Sequence, residues 1–566
     1  MRVSFRNMPL FLAAVVTAVL LTGCPQSVET TGYENAISEL TQFIEAELEH
    51  GSVNGVSVAL VDDQEIVWSA GFGLADLKAG TPAAGDSIYR VGSISKLFTD
   101  IGIMQLVEQG KLDLDADITT YIPEFHIGRP FGGEKPTTLR QLMCHLSGFP
   151  RESPVGHYFD DTFPSLRETV ESIYNTDLVY PPEENMKYSN IAITMVGYIL
   201  ERVSGEPFVD YVKQHLLEPI GMTNSNFLLT DELAGKKAKG YMWVADGREI
   251  EAPQFELAMV PAGNLYSSAE DMSKFLNCLF AWGEAGENRI LQRETLEQMF
   301  ELQFPGKDKD SYFGLGFAVG EYRGHKSVNH SGAVYGFTCN VTDLPDDKIG
   351  VVVLTNEDIA MGPLFRIRNK ALDLMLETKL GEAQPEKPAT VEVAAEVLDS
   401  YVGEYESPRL WAEVVHEGDG LTLVLSGQPL ELTAISETEF IAEGKVLTGG
   451  RLTFLPGDDG AAPGFSFGGD EFLRIDPAAV TEPPAHWTNY VGKYGQEFIP
   501  LIISIKHGHL YAFVENEFDY RLTPVSETVF DLAQGMYEGQ QVEFKLDSNG
   551  KVEKAVMAFV QFDPIE

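Results

Sequence analysis

The chain has 566 residues, 44% of them hydrophobic and 22% charged, an ordinary globular balance in a length beyond one ordinary domain, so two or three folded units are expected. A formal net charge of -44 excludes nucleic acid as a partner, because holding phosphates needs clustered Lys and Arg against a field of the opposite sign to this one. Such an acidic surface favours solubility and repels anionic lipid.

The first segment reads as an address. Arg2 and Arg6 precede an apolar run from Met8 to Leu21 that contains Pro9 and is too short to span a bilayer comfortably, the pattern of a signal-peptide core. The tetrapeptide LTGC that follows, Leu21 to Cys24, resembles a bacterial lipobox. That resemblance implies a lipoprotein signal peptide over 1–23, lipidation of Cys24, a tether over 24–32 and a body outside the cytoplasm, lipid-anchored to a bacterial membrane. The other cysteines are Cys144, Cys278 and Cys339, an odd remainder that cannot form a disulfide framework, so packing must hold the protein together. No C-x-x-C or H-E-x-x-H pattern occurs and the 11 histidines do not cluster as ligands, so no metal site is expected.

From about Tyr33 to Leu380 apolar helical runs alternate with strand-like runs such as GVSVALVDD and IGVVVLTNED, the texture of a mixed α/β body. Within it, YRVGSISKLFTDIGIMQLVEQGKL places Lys96 three residues after Ser93, near the start of an apolar helix that Ile94, Leu97, Ile101, Met104 and Val107 carry toward Gly110. Positions i and i+3 share a helical face, so hydroxyl and amine can touch. An unpaired ammonium is costly to bury and its pKa falls, which lets a lysine help take a proton from serine. A second S-x-x-K, Ser548 to Lys551, lies in a polar turn and reads as solvated decoration.

Two further short motifs follow in order. In KYSN, Tyr188 and Asn190 are spaced i, i+2 before a helix starting near Ile191, so in an extended segment both side chains point the same way; Ser189 or Asn190 can equally serve as that helix's cap. In NHSGAVYGF, His330, Ser331 and Gly332 read as part of a strand, with the glycine allowing a substrate backbone to lie close.

Taken together, GSISK, KYSN and HSG resemble the three motifs of the serine β-lactamase and penicillin-binding protein superfamily. TTLRQLMCHLSGFP, PAGNLYSSAEDMSKFL and VVVLTN also resemble its recurrent segments, and His145 within the first is read as structural. The resemblance covers about 33–380. It implies an antiparallel sheet with flanking helices and a helical subdomain, Ser93 as nucleophile, Lys96 and Tyr188 as proton carriers, and Asn190 with His330, Ser331 and Gly332 as substrate-binding residues. The implied oxyanion hole is the backbone N–H groups of Ser93 and Ala333, with no metal or organic cofactor. His330 on an edge strand is a departure from the lysine with which class C β-lactamases hold the drug's carboxylate, and is found in carboxypeptidases, D-aminopeptidases and esterases of the superfamily. Three functions follow as expectations: a peptidase or amidase on D-amino-acid peptides, a broad esterase, or a receptor that is acylated without turnover. Which of Lys96 and Tyr188 is the base stays open, as does the oligomeric state.

Beyond the body, composition shifts to a Pro-, Glu- and Ala-rich linker over 381–397. The sequence then repeats: YVGEY at Tyr401 returns as YVGKY at Tyr490, and LTAISETEF at Leu432 as LTPVSETVF at Leu522, offsets of 89 and 90 residues. Short alternating strands punctuated by Gly and Asn/Asp turns predict two small all-β barrels, 398–478 and 484–566. The pair resembles the accessory domains of D-aminopeptidase in the same superfamily.

Overall fold

In a computed structural model, which describes residues 32–565 apart from 51–52, 134, 246, 305–311, 456, 458–460 and 533–534, the body is built on a seven-stranded sheet. Cys24, the leader and the start of the tether lie outside the described residues. Every pairing in the sheet is antiparallel, in the order Ala318–Tyr322, His325–Val334, Phe337–Leu344, Ile349–Thr355, Gly55–Asp62, Glu65–Asp76, Thr81–Pro82. The central strands are continuous rather than alternating apolar runs because helices cover both faces. Pairing Gly55–Asp62 with Ile349–Thr355 brings the two ends of the body together. The helices Glu34–Glu49 and Met361–Leu380 therefore pack against each other on one face, over Val56, Val58, Leu60, Val351 and Val353. Arg366 clasps both carboxylate oxygens of Glu47 across that seam.

The opposite face carries Ala269–Phe280, and beside it the helical subdomain, in which Ser95–Glu108 packs on Asn190–Ser204. Ser189 caps the latter helix: its Oγ accepts from Ala192 N and donates to Pro150 O at 2.6 Å, while Gly205 ends it with φ 79°.

The strand carrying His330 corrects the expectation of a simple edge. Ala318–Tyr322 covers it from His325 to Asn329 and then stops. From His330 to Val334 only Phe337–Leu344 pairs with it, so the edge is open over this half alone. The reason is length: the covering strand has five residues and turns away at the Phe313–Ala318 bridge.

After Leu380 the chain runs without regular structure to Ala394, and the last residues of the expected linker are already helical, in Ala395–Tyr401, because Leu398 and Tyr401 are buried in the first β-unit. That unit is a closed eight-stranded barrel, Gly403–Glu406 to Asp470–Arg474. The second is an eight-stranded sheet, Gly492–Tyr494 to Val560–Phe562, whose ends meet at a Tyr494–Pro564 bridge. The repeated motif does the same work in both. Tyr401 stacks on Phe454 at 3.9 Å and receives the Tyr405 hydroxyl on its carbonyl; Tyr490 stacks on Phe544 at 4.4 Å and receives that of Tyr494. The units differ in where their cores lead: the first has its own, whereas that of the second is continuous with the core of the body. Among the described residues no helix is long and apolar enough to cross a membrane, and Cys144, Cys278 and Cys339 are buried and free.

Candidate active site

Gly92, at φ 53°, opens a single 3-10 turn, Gly92–Ile94, that leads straight into Ser95–Glu108. Ser95 Oγ locks the turn by donating to Gly92 O at 2.6 Å and accepting from Leu265 N at 2.9 Å. The i, i+3 spacing then sets Lys96 Nζ 2.9 Å from Ser93 Oγ. This helix is buried almost all round, and Lys96 keeps 1% of its surface exposed. Burial, aided by the positive charge of Arg151, pushes its pKa down to about 7 against the opposing pull of Glu152 and Asp100.

The partners of Lys96 are informative. Nζ also lies 2.9 Å from Asn190 Oδ1 and 2.7 Å from the carbonyl oxygen of Ala262, both of which can only accept. A neutral amine has two N–H groups and one lone pair. With the two hydrogens given to these oxygens, the lone pair is left to face the Ser93 hydroxyl, the arrangement a proton acceptor requires. The Asn190 amide is itself oriented, because its Nδ2 donates to Glu152 Oε1 at 2.7 Å. Tyr188 completes the group: Lys96 Nζ lies 5.0 Å from its ring centre, Ser93 is its hydroxyl's hydrogen-bond partner, and burial holds the phenol well above its ordinary pKa. His145 lies tilted against Tyr188, 4.3 Å between ring centres, and its Nδ1 accepts from Ser189 N at 3.3 Å.

The open edge beyond His330 is where the nucleophile turn docks. A Cβ on Gly332 would sit 1.9 Å from Val91 O and 3.0 Å from Ser93 N, and one on Gly92 would sit 2.9 Å from Ala333 N. Only glycines allow these backbones so close, and the strand segment bearing Ala333 thereby lies against the turn bearing Ser93. His330 is 4% exposed; its Nδ1 donates to Ser331 O at 2.6 Å and its Nε2 has no partner. Burial and the neighbouring Lys96 push its pKa down to about 3, so the ring is neutral and offers a lone pair. Ser331 Oγ accepts from Asn340 Nδ2 at 3.0 Å.

Ser93, Tyr188, Asn190, His330, Ser331 and Ala333 line one cleft of about 760 Å³, with Lys96 buried against Ser93. Sequence reasoning missed the residues that close it. Arg151 and Glu152, directly after the HLSGFP segment, are both buried, and Glu515, Glu517, Met536 and Glu538 of the second β-unit form part of the wall. The only sequence signal was an Arg-Glu pair following Pro150, which by itself marks a solvated turn. Among the described residues no group of three or more His, Cys, Asp or Glu is arranged to hold a metal ion.

The family model described as Beta-lactamase matches residues 40–374. Beta-lactamase-like protein 2 of Dictyostelium discoideum is 27% identical over 455 residues, covering 75% of this chain and 82% of that protein. The octameric penicillin-binding protein homologue from Pyrococcus abyssi superposes with a TM-score of 0.56 at 27% identity, covering 77% of this chain and 100% of its own. The D-amino acid amidase from Ochrobactrum anthropi SV3, in complex with D-phenylalanine, superposes with a TM-score of 0.53 at 24% identity over 61% of this chain and 99% of its own, a likeness of fold.

Proposed function

Because the chain belongs to the beta-lactamase family, a family with serine hydrolases among its members, we propose that it is itself one, acting through a covalent acyl-enzyme on amides or peptides of D-amino acids. The observation that carries the hydrolase reading is the hold on Lys96: Nζ lies within hydrogen-bond distance of Ser93 Oγ, Asn190 Oδ1 and Ala262 O, so once the amine is neutral its two hydrogens go to the latter two and its lone pair meets Ser93. In the proposed reaction Ser93 Oγ bonds to the substrate carbonyl carbon as its proton passes to Lys96. The carbonyl oxygen takes the negative charge beside the amides of Ser93 and Ala333. Collapse expels the amine, which takes a proton from the Lys96–Tyr188 pair, and water then releases the acyl group by the same steps in reverse. Tyr188 stays a phenol in the resting site, which suits it to relaying that proton rather than to starting the reaction.

The substrate class rests on His330. A neutral imidazole beside the cleft, with its Nε2 buried and unpartnered, can accept from an N–H and does nothing to hold a carboxylate. D-Aminoacyl amides and D-amino-acid esters should therefore turn over well, and a chromogenic cephalosporin slowly. His330→Lys should shift the ratio of the two kcat/KM values toward the cephalosporin by about tenfold or more. A wild-type enzyme that prefers the cephalosporin overturns this assignment.

The anchor is proposed on sequence alone. If Cys24 carries diacylglycerol, Cys24→Ser should move the protein produced in a bacterial envelope from the detergent phase to the aqueous phase of a Triton X-114 separation, since two or more acyl chains anchor stably where none does. Equal partitioning of the two proteins would refute it.

A further inference from the structure

The second β-unit does more than wall the cleft. Its hairpin between His509–Val514 and Phe518–Pro524 turns through Glu515 and Asn516, both at φ 56°. This left-handed conformation suits Asn or Gly, and a glutamate there is strained. Glu515 keeps its place by what its carboxylate touches. Arg151 Nη2 donates to both its oxygens, at 3.2 and 3.4 Å, and the Tyr537 hydroxyl donates to Oε1 at 2.6 Å. Arg151 is 6% exposed, lies over the rings of Tyr188 and Tyr537 at 5.8 and 5.4 Å, and has its Nε 3.5 Å from Glu152 Oε1. That same oxygen receives the Asn190 amide, whose oxygen faces Lys96. On the other side of Tyr188, Lys187 Nζ donates to the carbonyls of Met536 and Glu538, at 2.8 Å each.

We propose that the second β-unit is part of the catalytic apparatus: Glu515, acting through Arg151 and Glu152, fixes the Asn190 amide that aims the Lys96 lone pair at Ser93. Arg151, Glu152 and Glu515 are positioning residues in this reading, and none needs to touch the substrate. With Glu515 absent, the guanidinium loses the carboxylate that holds and neutralises it, and its charge acts undiminished on Tyr188 and Lys96. With Arg151 absent, Glu515 loses its cation, and Glu152, whose pKa burial already raises to about 7 against the pull of Arg151, takes up a proton more readily. The groups facing Lys96 are Arg151, Glu152, Asp100, His145, His330 and Tyr188. Of these only Arg151 and Glu152 belong to the chain of contacts that leads to the second unit. The two removals therefore act on Lys96 with opposite sign, because Arg151 lowers its pKa and Glu515 is the carboxylate that offsets Arg151.

The inference rests on the reading of Ser93 and Lys96 above, and the test separates the two. The second-order rate of Ser93 labelling by a fluorophosphonate, measured against pH on the full chain, reports the nucleophile without requiring the natural substrate. Glu515→Gln and Glu515→Gly should each label about tenfold more slowly at the plateau, with the acid limb moved to lower pH. Arg151→Met should label more slowly at neutral pH, with the acid limb moved to higher pH. The direction of the acid limb distinguishes this from a structural role: Glu515→Gly relieves the turn but leaves the buried guanidinium of Arg151 without its carboxylate, so its melting temperature alone decides nothing, whereas a merely structural loss does not move the limb to lower pH. Glu553→Gln, which removes an exposed carboxylate from the same unit, should behave as wild type. Opposite pH shifts from Glu515→Gln and Arg151→Met support the proposal. Unchanged pH profiles, or slowing that only tracks a lower melting temperature, overturn it. A wild-type protein that is not labelled at Ser93 overturns the hydrolase reading instead.

Discussion

Ser93→Ala lowers hydrolysis of D-aminoacyl amides and esters by at least about 10⁴-fold, to the residual level that binding and the oxyanion amides alone sustain. The size of the effect follows from what the hydroxyl does: without it no covalent bond forms, and Lys96 has no proton to take. The fold should be indifferent, because Ser93 is half-exposed to the cleft and its turn is locked by Ser95 and the two glycines rather than by its own oxygen. Ser548→Ala, in the turn that Asp547 closes onto the amides of Asn549 and Lys551, should retain full activity. Intact-mass analysis after fluorophosphonate treatment should show one adduct on the wild type and on Ser548→Ala, and none on Ser93→Ala. An active Ser93→Ala protein would end this mechanism.

Lys96→Met removes the proton acceptor and should lower acylation by about 10³-fold, within the range that general-base catalysis and nucleophile activation supply together. It carries a second, independent signature in stability. The unfolded chain's lysine keeps its proton up to an ordinary pKa of 10.5, whereas the buried one releases it near 7. Between those values the unfolded state binds more protons, so this residue makes the folded state gain stability as pH rises from about 7. Below 7 both states are charged, and the cost of the buried ammonium is felt in full. The gain cannot exceed about 1.4 kcal/mol per pH unit. In Lys96→Met that contribution is gone while the other titrating groups remain. Denaturant midpoints should therefore show wild type gaining on the variant between pH 7 and 9 and running parallel to it between pH 5 and 6. A constant difference across both intervals would mean that Lys96 is charged in the folded protein, and the lone-pair argument would fail with it.

Much of the nucleophile end of this site was legible from the chain alone, for a physical reason. The approach of Ser93 to Lys96 and the cap made by Ser189 are short-range consequences of helical period and of capping. Such rules act within a few residues, so a motif carries them. The mixed α/β texture and the two β-units were likewise readable from apolar periodicity and turn residues.

What the tertiary structure decided is the charge and the aim of the groups those motifs bring together. Nothing near Lys96 in sequence says that its proton is so readily lost; that depends on burial by its own helix, by the segment bearing Ala262 and by the segment bearing Arg151. The edge beside His330 is open because a neighbouring strand stops after five residues, a matter of register that the strand's own residues do not encode. Arg151 and Glu515 stand 364 residues apart, and each reads locally as a solvated charge. Desolvation and pairing are properties of whatever covers a group, so they appear only when the second β-unit closes over the cleft.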